Sequence, residues 1–215
     1  MRRREVVGGL ALLPAVAWAQ AGEVSPDIPR YDLGRLPPEF GTGWRTGRGA
    51  VGTWQAVEDA TARGSRVIEQ SSTDPTDYRF PLAVYRMAPV ADVEASVRFK
   101  AMSGKGDRAG GLAVRVTDAD NYYVVRANAL EDNVNLYRVV KGRRIEIKGA
   151  SVKVASGVWH DMAIRVRGTA ISISFNGTAL FSAEDGAIPG PGAIALWTKA
   201  DSVTRFHDLL IRRLP

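Results

Sequence analysis

The chain has 215 residues, no cysteine and only two histidines, His160 and His207. Without thiols there is no disulfide framework, no thiolate nucleophile and no Cys-ligated zinc or iron–sulfur cluster. Two histidines do not make a His-rich metal site. No stretch repeats apolar residues at a helical period. Beyond residue 21 there is no long apolar run either, so stable membrane insertion is not expected. Clustered basic charge is also scarce. The formal net charge is +6, of which Arg2, Arg3 and Arg4 against Glu5 carry +2. The remaining 26 basic and 22 acidic residues are spread out, with adjacent basic pairs only at Arg143–Arg144 and Arg212–Arg213. A nucleic-acid binder needs a basic stripe or a known motif. Neither is present, and no nucleic-acid partner is expected.

The first 21 residues join a basic start, an apolar run over 6–17 and small residues at Ala17, Ala19 and Ala21. That order is the secretory signal pattern. Arg3-Arg4-Glu5-Val6-Val7 also resembles a twin-arginine export signal, so both export routes stay open. The expected location is the periplasm or outside the cell. A hydrophobic fraction of 45% suits a globular domain. About 195 residues without disulfides can still bury roughly 70% of their unfolded surface.

Residues 22–43 contain Pro26, Pro29, Pro37 and Pro38 and read as an irregular entry segment. From 44 to 215 strand signals dominate and no second domain is visible. Alternation places Val93, Ala95, Val97 and Phe99 on one face of a strand. The same pattern groups Leu112, Val114 and Val116, then His160, Met162, Ile164 and Val166, then Ile171, Ile173 and Phe175. Asn176-Gly177 is a strong type I′ hairpin signal and Lys141-Gly142 a weaker one. Asn176-Gly177-Thr178 also fits a glycosylation sequon, but the hairpin explains the same residues and is the preferred reading. The expected class is all-β, an antiparallel sandwich or barrel.

The order of several short motifs sharpens this. They are Trp54-Gln55-Ala56-Val57-Glu58-Asp59, Arg108-Ala109-Gly110-Gly111-Leu112-Ala113-Val114-Arg115 and Asp120-Asn121-Tyr122-Tyr123. Val158-Trp159-His160, Phe175-Asn176-Gly177, the run from Gly192 through Trp197 to Ser202, and Phe206-His207-Asp208-Leu209-Leu210-Ile211 follow. Together they resemble the concanavalin A-like jelly rolls, and more narrowly the exported bacterial domain family named for 3-keto-disaccharide hydrolases. The resemblance implies two packed antiparallel sheets, one of them concave and able to hold a sugar chain. It also implies, as an alternative, an enzyme that cleaves 3-keto-glycosides. Two features depart from the pattern. Ala109-Gly110-Gly111 replaces the family's Asn-Ser-Gly, and the E-x-D-x-x-E strand of family-16 glycosidases is missing. Glu58-Asp59 and Glu131-Asp132 are adjacent pairs, and neighbours in a strand face opposite ways. A two-carboxylate glycosidase mechanism is therefore not expected.

With Tyr123, Val125, Ala127, Val134, Leu136, Ile194 and Leu196 assigned to the core, the opposite face receives a polar set. Arg115, Arg126, Asn128, Asn135, Tyr137, Trp197 and Lys199 are expected on that outer surface as glycan-binding residues. Amides and guanidinium forks bond sugar hydroxyls, while Trp and Tyr stack on pyranose faces. Outward residues of any solvated sheet are polar, which is the plain alternative for each of them singly. For the enzyme reading, the base candidates are Glu131, Asp132 and His160. His160, on an apolar face, reads first as a structural histidine. No cofactor is expected. The resemblance adds a structural Ca²⁺ held through Asp208, against which stand a lone carboxylate and the lack of a D-x-D-x-D loop. A third reading is a non-catalytic interaction domain of the cell envelope. The expected partner is a carbohydrate.

Overall fold

The computed structural model describes residues 22–215. The leader expected over 1–21 lies outside the described residues. The chain forms β1 (Glu23–Val24), a 3-10 turn (Ile28–Arg30), β2 (Phe40–Gly47), β3 (Trp54–Glu58), β4 (Arg66–Gln70) and β5 (Arg79–Val90). It continues through β6 (Val93–Ser103), β7 (Ala109–Asp118), β8 (Asn121–Asn128), β9 (Asn133–Val140) and β10 (Arg143–Ser151). Then come β11 (His160–Arg167), β12 (Ala170–Phe175), β13 (Thr178–Glu184), β14 (Gly192–Thr198) and β15 (Val203–Arg213). No helix among the described residues is long and apolar enough to cross a membrane.

Every strand pair is antiparallel. Sheet I runs β13-β12-β11-β6-β15-β4-β3, with β1 added to β15, and sheet II runs β10-β9-β8-β7-β14-β5-β2. The last strand thus closes between β6 and β4, and β14 between β7 and β5, which are long-range crossovers of a jelly-roll sandwich. Type I′ turns tie the hairpins: Asn176 and Gly177 have φ of 49° and 75°, Lys141 and Gly142 51° and 73°.

The inter-sheet core follows the alternation. Val93, Ala95, Val97, Phe99, Leu112, Val114, Tyr123, Val125, Ala127, Val134, Leu136, Ile194 and Leu196 join one buried cluster with Met162, Ile164, Val166, Ile171, Ile173 and Phe175. Each fully buried Val, Leu, Ile, Phe or Met among them contributes roughly 1.5–3 kcal/mol.

Val116 is a correction. It lies in a second cluster, on the outer face of sheet II, with Ala113, Val124, Tyr122 and Trp197. The cause is a bulge. Arg115 adopts φ 51°, and the β7–β8 register shifts between Val114 and Asp118. One extra residue moves everything beyond it to the opposite face. Arg115 is corrected with it, because it does not reach the outer surface. Fully buried, it donates from Nε to Ala91 O (2.8 Å), from Nη1 to Ile188 O (2.8 Å) and from Nη2 to Gly168 O (2.8 Å). It rivets three connections at one end of the sandwich.

Candidate functional site

Arg126, Asn128, Asn135, Tyr137, Trp197 and Lys199 share the outer face of sheet II. Register places Trp197, Gly111, Arg126 and Asn135 side by side across β14, β7, β8 and β9. The expectation of an open surface, however, fails at its centre. Trp197 is 0% exposed, and its Nε1 donates to Tyr122 Oη at 3.1 Å. Tyr122 Oη also pairs with Thr46 Oγ1 at 2.7 Å, although β2 and β8 are separated by β5, β14 and β7. Tyr78 Oη donates to Gly142 O (3.1 Å) and accepts from Arg144 N (2.5 Å). The Arg144 guanidinium covers the rings of Phe80 (4.7 Å) and Tyr137 (4.6 Å). Contacts between such distant strands require the sheet to curl towards this face, which is concave. Two diagonal corners meet over Trp197 and seal a second small core.

Two parts of the face flank this seal. One is polar. Arg126, Asn128, Asn135 and Tyr137, expected on an open surface, are buried in it, with Glu131, Asn133 and Glu146 at its rim. Arg126 donates from Nη2 to Glu131 Oε2 (2.9 Å) and Asn133 Oδ1 (2.7 Å), and Asn133 donates in turn to Glu131 (3.0 Å). Asn135 donates to Tyr137 Oη (3.0 Å) and Glu146 Oε2 (3.0 Å). Asn128 donates to Asp107 Oδ1 (2.9 Å), whose other oxygen holds Lys199 Nζ at 2.6 Å. These groups are fixed by one another. Arg126 Nε and one terminal nitrogen of Arg144 are buried without an acceptor among the described residues. A buried unsatisfied donor costs about 1–3 kcal/mol unless a water or ligand meets it. The second part is an open shelf of ≈ 620 Å³ at the opposite end of the face, lined by Trp44, Val84, Arg86, Val116 and Ala193 among others.

Asp107, Arg144, Glu146 and Trp44 were not singled out by alternation. Asp107 precedes its strand, Arg144 and Glu146 belong to an edge strand with a register shift, and Trp44 sits among glycines in β2. Trp44 is half-buried on the edge strand β2, a placement that only the structure shows.

The base candidates do not converge. Burial raises Glu131, but the bonds from Arg126 and Asn133 outweigh it and leave its pKa low. The Lys153 ammonium and the Val154 N–H hold Asp132 low as well. His160 is buried and stacked on Phe175 at 5.1 Å. Its Nε2 meets Ala155 O at 3.0 Å and its Nδ1 accepts from the Asn176 amide at 3.1 Å. Both ring nitrogens are occupied in a structural role. Nor does Asp208 fit a Ca²⁺ site. Its carboxylate accepts from Arg63 at 2.9 Å, and no group of three metal-ligating side chains occurs among the described residues.

No protein-family model and no curated protein sequence matches the chain. Solved structures do resemble it. Carbohydrate-binding module CBM66 from Bacillus subtilis aligns with a TM-score of 0.63 at 18% identity, over 75% of this chain and 91% of that one. The β-glucanase of Bacillus licheniformis aligns with a TM-score of 0.55 at 13% identity, over 85% and 96%. A protein of unknown function from Shewanella oneidensis gives 0.56 at 14%, over 88% and 84%. The chain has the concanavalin A-like jelly-roll fold.

Proposed function

We propose that this is an exported, non-catalytic carbohydrate-binding domain that holds a glycan against the polar part of the concave face of sheet II. One observation carries the reading: a fixed set of amides, carboxylates and guanidinium groups around Arg126, whose Nε lacks a partner among the described residues. Arg126, Asn133, Asn135, Glu131 and Glu146 together offer donors and acceptors in the alternating pattern that vicinal hydroxyls require. The Trp44 shelf supplies apolar surface for a ring face. Trp197 supports the floor from below instead of stacking on the sugar. The fold likeness to a carbohydrate-binding module and a β-glucanase is consistent with such a role. Cleavage of 3-keto-glycosides is the less supported alternative, because neither Glu131 nor Asp132 is raised towards the neutral pKa a general base needs. The test is calorimetric titration with neutral and acidic oligosaccharides and a 3-keto-disaccharide, with product analysis of the same mixtures. Saturable binding of an intact glycan is expected. Turnover of any of them would overturn the non-catalytic assignment.

A further inference from the structure

The outer face of sheet I carries two adjoining clefts, of ≈ 360 and ≈ 410 Å³, that share Ser25, Arg63 and Asp208 in their walls. Volumes of this order are typical of small-molecule sites. The first has Ser96, Arg98, Asp161 and Ser174 in its lining, and the second has His207. The face differs from that of sheet II and lies on the other side of the core. Phe206 and Leu209 of β15 point into that core, and a bulge at Asp208 (φ 50°) separates them. His207 therefore faces outward. It is nevertheless 1% exposed, closed in by Trp159 edge-on at 4.4 Å. Neither of its ring nitrogens has a hydrogen-bond partner among the described residues, and neither has Arg98 Nε. Asp208 Oδ2 lies 3.2 Å from Nδ1 but out of line for a hydrogen bond.

The charges around the clefts cancel in pairs, Arg63 with Asp208 (2.9 Å) and Arg98 with Asp161 (3.1 Å). The second cleft adds Arg66, which donates to Tyr31 O at 2.7 Å, and Asp27, so the two linings together hold three positive and three negative side chains and no net charge that calls for an anion. Burial disfavours the imidazolium of His207, so its ring presents one N–H donor and one lone pair. A hydroxyl group likewise both donates and accepts. We propose that these clefts form a second binding site, independent of sheet II, for a small neutral polyol such as a free hexose. Ion-paired side chains and serine hydroxyls would hold the hydroxyl groups, with His207 at the inner wall.

With only two histidines in the chain, imidazole ¹⁵N resonances report this site without ambiguity. The folded protein is titrated with glucose, galactose, fructose, glycerol and, separately, inorganic phosphate. At least one neutral compound should shift His207 saturably and leave His160 in place. Arg98→Met should weaken that response about tenfold, the loss of a charge-assisted hydrogen bond. Ser174→Trp, which fills the first cleft from a half-exposed position, should abolish it in a protein with an unchanged melt. Arg126→Ala on the other sheet should leave it intact, which separates this site from the glycan site. A His207 that no neutral compound moves, or that moves only with phosphate, overturns the proposal.

Discussion

Trp197 shows how one side chain can be correctly oriented and still serve another purpose than its orientation suggests. It lies beside Phe80 at 5.2 Å, bonds Tyr122 and is wholly covered. Truncation leaves a cavity and removes one of the two partners of the Tyr122 hydroxyl, so Trp197→Ala should cost about 3–5 kcal/mol. Urea melts measure this; an unchanged midpoint would mean that the seal over Trp197 does not exist in solution. His207 makes a pH prediction. Burial lowers its pKa more than Asp208 raises it, with Arg98 adding to the lowering. The unfolded chain then binds the extra proton first. This contribution to stability is complete above about pH 6.5, the ordinary imidazole value, and declines as the pH falls below it. Melting temperatures of wild type and His207→Gln should converge towards acid pH. Parallel curves would contradict a neutral buried ring.

At the scale of elements, β7 decides most. Its Gly110 and Gly111 each have an aromatic ring packed close against them. A Cβ on Gly110 would stand 2.6 Å from Phe99 Cδ2 in the core, and one on Gly111 2.9 Å from Trp197 Cε3 on the outer face. The strand is thin so that both rings can pack close against it. Gly111→Ala should destabilise by about 1–3 kcal/mol through overpacking, read as a shift in the thermal midpoint. A neutral or stabilised variant would show that Trp197 can move aside. The same strand marks the limit of what alternation reveals. Leu112 and Val114 were legible as core because a period of two is geometric. Val116 and Arg115 were not, since nothing about an arginine announces φ 51°. The type I′ turns at Asn176-Gly177 and Lys141-Gly142 were legible because their backbone demands residues that tolerate positive φ. That the second turn would reach Tyr78 was not, because sheet curl is set by long-range pairing.

For the molecule as a whole, alternation told which side chains share a face but not what covers that face. Arg126, Asn128, Asn135, Tyr137 and Lys199 gather as expected, yet each is bonded or shielded by residues brought from elsewhere: Asp107, Glu131, Arg144 and Glu146. The outcome is a sandwich with one core between its sheets and a second inside the curl of sheet II. The proposed glycan site lies beside that second core. Calorimetric titration of Arg126→Ala against the wild-type protein, with thermal melts of both, tests this most directly. Arg126 touches the site and not the inter-sheet core, so the fold should persist while glycan affinity falls by about tenfold or more, the worth of a charge-assisted hydrogen bond. The loss should be largest for a uronate-containing glycan, whose carboxylate adds a charge-assisted bond to the guanidinium. Undiminished affinity in a stably folded Arg126→Ala protein would contradict the account.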